Sequence, residues 1–275
     1  MPQTLADIKD MLAARALAPR HALGQNFLID HNLIRKLIDA AAPAPADLIL
    51  EVGPGTGTLT ETLLERGCTV IACELDRGLA ALLRDRFAPH IADQSLTLIE
   101  GDCLERKSAI SPAILSAIAD RPFRLIANLP YGAASPLMAR LAEWRCVCLG
   151  QFVTIQREVA QRLRAQPNTR DYSELSVVVQ AMCDIRRIAT LSPECFWPRP
   201  KVTSEMVAIT PLEQSLTDNP AQLASLCHTL FTQRRKQLGA ILGRDFPFPP
   251  DIAPTARPES LTIEQLVVLS RLRKD

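Results

Sequence analysis

The feature that most constrains the fold is an alternation of short apolar runs with longer amphipathic stretches between Leu48 and Phe152. Short apolar runs are typical of buried strands, and the stretches between them have the apolar spacing of surface helices. Strands joined by helices form a parallel sheet covered on both faces, so the pattern predicts an α/β fold. The predicted strands are 48–52, 69–74, 96–100, 124–128 and 151–156, and the predicted helices include 59–66, 78–87 and 135–144.

The pattern changes after Gln156, where strand and helix no longer alternate. Pro198 and Pro200 exclude a helix from the segment FWPRPKV and favour an extended chain. We predict helices at 157–165 and 173–183, a last strand at 205–210, and two helices at 221–242 and 260–273. The sequence therefore predicts a sheet domain at residues 1–212 and a small all-helical domain at 213–275.

Composition excludes several classes of protein. The chain has 275 residues, of which 47 % are hydrophobic and 22 % charged, as in ordinary globular proteins. No run approaches the 18 apolar residues of a membrane span, and Asp7 and Asp10 interrupt any secretory signal core. The 8 cysteines form no CxxC pair, so we expect reduced thiols, no metal site and a cytoplasmic protein.

The charge is unevenly distributed along the chain. The formal net charge is only +1, which gives no sign of a nucleic-acid partner. Residues 1–150, however, carry an acidic excess and residues 151–275 a basic one, and the segment 221–244 contains four basic residues and no acidic one. A local basic face binds phosphates even when the whole molecule is nearly neutral.

The strongest local motif is EVGPGTG at 51–57, between a predicted strand and a predicted helix. Glycines permit a tight turn there and let a ligand approach the backbone at the helix N-terminus. The spacing GxGxG differs from the dinucleotide pattern GxGxxG and favours a nucleoside without a pyrophosphate. Taken alone, the motif is also compatible with an ordinary glycine-rich turn.

Carboxylates follow the next two predicted strands. Glu74 ends the second strand, where it can accept both hydroxyls of a ribose, and Asp102 follows the third strand, where it can accept from an adenine amine. Each carboxylate alone is equally well explained as a solvated strand end. Together with the glycine motif, they predict that the ligand is S-adenosylmethionine.

The tetrapeptide Asn128–Leu129–Pro130–Tyr131 follows the fourth strand and indicates the reaction. An adenine amine is a poor nucleophile because its lone pair is delocalised into the ring. The Asn128 side-chain oxygen and the carbonyl of Leu129 or Pro130 would accept its two hydrogens and align the nitrogen with a methyl donor. Tyr131 would stack on the extruded base. The same tetrapeptide is also a good turn sequence.

The complete motif series resembles that of the ribosomal RNA adenine dimethyltransferases. Within the family, the resemblance is strongest to the bacterial type that dimethylates two adjacent adenosines in the 3′-terminal hairpin loop of 16S rRNA. It extends from about Arg15 to Leu272 and implies a Rossmann-like, class I S-adenosylmethionine-dependent methyltransferase sheet with a small C-terminal all-helical domain. The matching segments are LGQNFL, EVGPGTGTLT, ELD, GD, NLPY, QREVAQRL, FWPRPKVTS and FTQRRKQL.

The resemblance also implies roles for individual residues. The implied catalytic residues are those of the NLPY segment, Asn128 to Tyr131. The implied cofactor-binding residues are Gln25, Asn26, Leu28, Gly53, Gly55, Glu74, Asp102 and Asn128. The implied RNA contacts are Tyr131, Phe196, Arg234, Arg235 and Lys236, with Phe196 closing on the flipped adenine and the basic run lying on a helix.

This chain departs from the family pattern at three places. Family members usually continue NLPY with Asn-Ile-Ser/Thr-x-Pro, whereas this chain has Gly-Ala-Ala-Ser-Pro from Gly132 to Pro136. His21 and Gly239 stand where basic residues are common. None of the three belongs to the implied cofactor ligands.

The resemblance implies two methyl transfers to each target adenine, in a pre-30S particle, by an enzyme we expect to be a monomer. Two alternatives remain open. One is a 23S rRNA adenine methyltransferase of the macrolide-resistance type, which shares the N-terminal motifs. The other is a mainly non-catalytic assembly factor that occupies the immature small subunit.

Overall fold

A computed structural model describes residues 3–106, 109–144 and 147–273. Cys146, one of the scattered thiols, lies outside these residues. The chain forms two compact units. The first comprises Met1–Arg157 with Arg186–Thr210, and the second comprises Glu158–Ile185 with Pro211–Asp275. The sequence placed residues 158–185 in the first domain, whereas in the structure they cluster with the C-terminal helices.

The regular elements are numbered in chain order. The strands are β1 Phe27–Leu28, β2 Leu48–Val52, β3 Thr69–Glu74, β4 Leu96–Glu100, β5 Leu104–Glu105, β6 Ala109–Ile110, β7 Phe123–Asn128, β8 Cys148–Gln156, β9 Cys183–Leu191, β10 Phe196–Trp197 and β11 Ser204–Pro211. The α-helices are α1 Leu5–Ala13, α2 His31–Ala41, α3 Thr58–Glu65, α4 Arg77–Arg86, α5 Ala88–Ala92, α6 Pro112–Ile118, α7 Tyr131–Glu143, α8 Arg157–Leu163, α9 Glu174–Gln180, α10 Pro220–Thr232, α11 Leu238–Leu242 and α12 Ile263–Leu272.

A seven-stranded sheet with the order β4-β3-β2-β7-β8-β11-β9 forms the centre of the fold. The five strands predicted in the alternating region, β2, β3, β4, β7 and β8, are parallel, and β11, the last predicted strand, pairs antiparallel with β8. The chain order reverses between β2 and β7, so the loops that follow these strands diverge there and leave a crevice. The predicted α/β class and Rossmann-like sheet are confirmed.

The central strands are mostly apolar because helices cover the sheet in the first unit. Ile49 on β2, Val70 on β3 and Ile126 on β7 are fully buried. They belong to one core cluster with Leu37 of α2 and Leu63 of α3. Two-sided burial explains why β2 and β3 are largely apolar, with an acidic residue at or next to the carboxyl end of each.

The second unit contains α9, α10 and α12. Leu223, Leu226 and Leu230 on α10 are fully buried. Tyr172 is also fully buried, packs edge-on against Phe231, and donates its hydroxyl hydrogen to the carbonyl of Leu261 at 3.0 Å. The predicted small helical domain thus has its own core, although it includes more of the chain than the sequence indicated.

The structure corrects two predicted helices. The helix predicted at 173–183 ends at Gln180, and the chain from Cys183 continues as β9. The helix predicted at 221–242 is divided into α10 and α11 by a turn at 233–237. This turn contains no proline or glycine, so the break has no local sequence signal.

No helix within the described residues is both long enough and apolar enough to cross a membrane. Those residues also contain no cluster of histidine, cysteine and carboxylate side chains suited to a metal ion.

Candidate functional site

A cavity of about 690 Å³ lies at the carboxyl ends of β2, β3 and β7 in the first unit. Its volume is in the range of small-molecule sites. All the residues predicted to be catalytic or to bind the cofactor line this cavity. They are Gln25, Asn26, Leu28, Gly53, Gly55, Glu74, Asp102, Asn128, Leu129, Pro130 and Tyr131.

The glycine motif forms the loop between β2 and α3, and its backbone requires glycine. Gly53 and Gly55 have φ values of 72° and 63°, in the left-handed region. A Cβ atom on Gly55 would lie 2.8 Å from the ring of Phe27. The loop therefore presents backbone without side chains to the cavity, and this allows a ligand to approach it closely.

Glu74 lies at the end of β3 with its side chain 5 % exposed. One carboxylate oxygen accepts from the amide of Gly55 at 3.1 Å, and the other accepts from the amide of Asp76 at 2.9 Å. Burial raises the pKa of Glu74, and these hydrogen bonds partly offset the shift. The two amides fix the carboxylate at the cavity wall, where it retains free lone pairs for hydroxyl groups.

Glu51 is a cavity residue that the sequence analysis did not select. It lies in β2, is 2 % exposed, and accepts from the hydroxyl of Thr60 at 2.7 Å. Burial raises the pKa of Glu51 to about 8, so the carboxyl group is mostly protonated at neutral pH. The signal was present in the sequence, as an acidic residue inside an otherwise apolar strand.

The rim near Asp102 combines an acceptor with apolar surface. One oxygen of Asp102 accepts from the amide of Leu104 at 2.9 Å. Leu75 and Cys103 also line the cavity here, and the Leu75 side chain is 50 % exposed. An exposed leucine beside a carboxylate suits a flat ring with an amino group at its edge. The sequence analysis missed Leu75 because it considered only the polar residues of the ELD segment.

Gln25 lines the cavity, but its side chain is bound within the protein. Its amide nitrogen donates to Asp76 at 3.2 Å, and its oxygen accepts from the amide of Arg20 at 2.8 Å. The predicted role of Gln25 as a direct cofactor ligand is therefore not favoured by the observed hydrogen bonds. Gln25 instead connects its own loop to the start of α4, which Asp76 caps.

Asn128 is oriented by a hydrogen bond from the opposite side of the cavity. Its amide nitrogen donates to the backbone carbonyl of Asn26 at 2.9 Å. Only the nitrogen of an amide can donate to a carbonyl, so this contact also fixes the position of the Asn128 oxygen. The predicted acceptor and the LGQNFL segment are thus directly joined.

The following residues form the start of α7. The carbonyl of Pro130 accepts from the amide of Ala133 at 3.1 Å as the helix N-cap, which leaves Leu129 as the better candidate for a second acceptor. A Cβ atom on Gly53 would lie 3.1 Å from Pro130, so the glycine loop and the NLPY segment are in close contact. Burial raises the pKa of Tyr131, which keeps its phenol neutral.

Phe196 is not part of the cavity wall. It is 2 % exposed, pairs with Leu28 across the two-stranded β1-β10 sheet, and belongs to the hydrophobic core of the first unit. This position accounts for an apolar residue at 196, and the stacking of Phe196 on a target base stays a prediction.

The basic run does not lie on a helix as predicted, and its members differ in environment. Arg234 is bound inside the second unit, where its guanidinium pairs with Glu259 at 2.5 Å and donates to the carbonyls of Arg170 and Thr169 at 2.6 and 2.8 Å. Arg235 and Lys236 are exposed. Arg234 makes these contacts from the turn between α10 and α11, and we infer that they stabilise this turn against a continuous helix.

The sequence of this chain matches known proteins over most of its length. Residues 17–267 match the family model described as ribosomal RNA adenine dimethylase. A relative from Aromatoleum aromaticum, named ribosomal RNA small subunit methyltransferase A, is 38 % identical over 258 residues, which cover 91 % of this chain and 92 % of the relative.

Two solved structures have the same fold at 24 % identity. A dimethyladenosine transferase from Plasmodium falciparum has a TM-score of 0.69 and covers 88 % of this chain and 95 % of its own. The 23S rRNA methyltransferase ErmE has a TM-score of 0.63 and covers 90 % of this chain and 99 % of its own. The family model matches most of the sequence, and the chain therefore belongs to the ribosomal RNA adenine dimethylase family.

Proposed function

We propose that this protein transfers methyl groups from S-adenosylmethionine to the N6 amines of two adjacent adenosines in the 3′-terminal hairpin loop of 16S rRNA. The observation that carries the proposal is the fixed amide of Asn128, 2.9 Å from Asn26, in a cavity that also holds the Glu74 carboxylate. Family membership supports the reaction type, and the 38 % identical relative is named for the small ribosomal subunit.

The cavity suits S-adenosylmethionine along its whole length. Glu74 would accept from the ribose hydroxyls, Asp102 would accept from the adenine amine, and Leu75 would pack on the adenine ring. Asn26 and Leu28 would lie beside the methionine end, and the bare backbone of the glycine loop would allow close approach. When bound, S-adenosylmethionine supplies an electrophilic methyl group on a positively charged sulfur.

The chain itself would activate the target amine by position and hydrogen bonding. Two acceptors, the Asn128 side-chain oxygen and the Leu129 carbonyl, would hold the two hydrogens of N6 and direct its lone pair toward the methyl group. Tyr131, at the start of α7, would stack on the target base and hold it out of the RNA base stack. Asn128, Leu129 and Tyr131 would thereby hold the nitrogen in line with the methyl group, so that a bond from nitrogen to the methyl carbon would replace the bond from that carbon to sulfur.

No strongly basic side chain is needed for this step. The amine nitrogen becomes acidic once it carries the new methyl group, so its proton is released to solvent after transfer. The Asn128 and Leu129 oxygens serve as acceptors without taking the proton. After the first transfer one N6 hydrogen remains, so a second transfer is possible at the same atom.

RNA would bind through phosphate contacts that position it without reading sequence. Arg235 and Lys236, in the predicted C-terminal rRNA-contacting domain, are exposed and suited to this role. A hairpin loop has unstacked bases, from which extrusion costs least. We expect a monomer acting in the cytoplasm on a pre-30S particle.

Transfer of labelled methyl groups tests the proposal against the 23S alternative. The protein is incubated with labelled S-adenosylmethionine and either immature 30S particles or protein-free 23S rRNA. We expect label in 16S rRNA only, and label found only in 23S rRNA would support the macrolide-resistance type instead. A mainly non-catalytic assembly factor would bind the 30S particle without transferring label to either RNA.

A further inference from the structure

We propose that Gln3 is a cofactor-positioning residue that fixes the glycine loop in its binding conformation. The inference rests on the proposed function, because it assumes that the loop binds S-adenosylmethionine. Gln3 precedes α1 in the sequence and is more than 50 positions away from the loop, yet its side chain is only 5 % exposed.

The Gln3 side chain uses its hydrogen-bonding capacity on one short stretch of chain. Its amide nitrogen donates to the carbonyl of Thr56 at 3.2 Å. Its oxygen accepts from the hydroxyls of Thr56 at 3.1 Å and Thr58 at 3.0 Å. The Gln3 amide can make all three contacts at once because its nitrogen is a donor and its oxygen has two lone pairs that accept.

The loop that Gln3 holds is also restrained by the amide of Gly55, which donates to Glu74 at 3.1 Å, and by the amide of Gly57, which donates to the carbonyl of Pro54 at 2.9 Å. Thr56 lies between Gly55 and Gly57, which have φ values of 63° and 85°. Gly57 is the N-cap of α3 and supplies no side-chain cap. Arg86 binds the carbonyl of Thr56 at 2.6 Å from another element. Glycines adopt many backbone conformations when free, so these outside contacts select the one that faces the cavity.

Gln3 is itself held in place by two elements. Its backbone carbonyl lies 2.5 Å from the Nε2 atom of His31 at the start of α2. Thr4 and Asp7 form a capping box at the start of α1, and Ile8 and Leu12 of that helix are buried in a cluster with Phe27. Gln3 thus connects a supported segment, held by α1 and His31, to the glycine loop. Because its side chain fixes the loop from this segment, we assign it a positioning role.

The test compares Gln3→Met with the unchanged full-length protein. Methionine has a similar length and shape but makes none of the three hydrogen bonds. We expect the dissociation constant of S-adenosylmethionine, measured by calorimetry, to rise roughly 10-fold. Backbone amides of the 53–58 loop should also exchange faster with solvent in the free variant. At saturating cofactor the turnover rate should return to within about 2-fold of the original.

Leu226→Ala is the matched control, because it removes a fully buried side chain from α10 in the second unit and leaves α1 and the loop unchanged. We expect it to lower thermal stability with no loss of cofactor affinity. Gln3→Ala gives a second substitution if the methionine variant folds poorly. Unchanged affinity and unchanged loop exchange in a folded Gln3 variant would overturn the inference, as would an equal affinity loss in Leu226→Ala. Failure of the unchanged protein to bind S-adenosylmethionine would instead reject the proposed function.

Discussion

The side-chain amide nitrogen of Asn128 lies 2.9 Å from the backbone carbonyl oxygen of Asn26. The two residues are 102 positions apart, and the contact joins the loop after β7 to the segment that ends at β1. It leaves the Asn128 oxygen as the group available to a target amine. This one hydrogen bond therefore fixes the orientation of the Asn128 amide, with its oxygen as the proposed acceptor.

Asn128→Ala tests the acceptor directly. Loss of the oxygen removes one of the two groups that align the adenine amine, so we expect methyl transfer to fall by about 10²–10³-fold, as for loss of other preorganised electrostatic groups. Binding to the 30S particle should be retained, because phosphate contacts lie elsewhere. Rates with labelled cofactor check the prediction. Asn32→Ala, at an exposed position of α2, is the control, and a fully active Asn128→Ala variant would exclude the mechanism.

Alanine substitutions at Gly55 and Gly132 compare a glycine that the backbone conformation requires with one that it does not. Gly55→Ala places a side chain at φ 63° and 2.8 Å from Phe27, so we expect lower stability, by ~1–2 kcal/mol from the backbone alone, and weaker cofactor binding. Gly132 lies in α7 with nothing within 4 Å of an added Cβ atom. Gly132→Ala should therefore stabilise the protein by about 0.5–1 kcal/mol. Denaturant unfolding measures both, and equal effects would contradict the loop geometry.

Glu51 makes stability depend on pH. Its pKa is raised from 4.5 to about 8 in the folded protein, so folding favours the protonated form. This contribution is fully present below pH 4.5 and is lost as the pH rises toward 8. We expect Glu51→Gln, which cannot ionise, to flatten the fall in unfolding free energy between pH 4.5 and about pH 8. Parallel pH profiles for the two proteins would show that Glu51 is not buried as a neutral acid.

The exposed basic residues Arg235 and Lys236, in the turn between α10 and α11, are tested by the salt dependence of RNA binding. Arg235→Glu with Lys236→Glu should weaken binding to the 30S particle and reduce the slope of log affinity against log salt by about 1 per lost phosphate contact. Arg234→Ala should instead lower stability, because it removes the partner of Glu259 and of two carbonyls. An unchanged salt slope in the double variant would exclude this turn from the RNA contact.

The sequence predicts the sheet well because its strands have local signals. The bounds of β2, β3 and β4 match the predicted ones, since each strand is a buried apolar run between turn residues. The carboxyl ends of parallel strands meet at one edge, so Glu74 and Asn128 could be placed at one site from topology alone.

Features that depend on distant contacts were not predictable. The turn after α10 follows from the contacts of Arg234 with Glu259 and with residues near position 170, which no local pattern reveals. An aromatic residue such as Phe196 has the same sequence signature on a base-binding surface as in a core. Gln3 and Gln25 form side-chain hydrogen bonds with residues 53 and 51 positions away in the sequence. The residues next to each glutamine give no sign of these contacts.

Mass spectrometry of 16S rRNA tests the central claim most directly. The nucleosides of the 3′-terminal hairpin loop are analysed from a strain that lacks this protein, with and without the restored gene product. We predict two adjacent N6,N6-dimethyladenosines after restoration of the unchanged protein, and unmodified adenosines after restoration of Asn128→Ala. Unmodified adenosines in both strains, or new methylation confined to 23S rRNA, would contradict the proposed reaction.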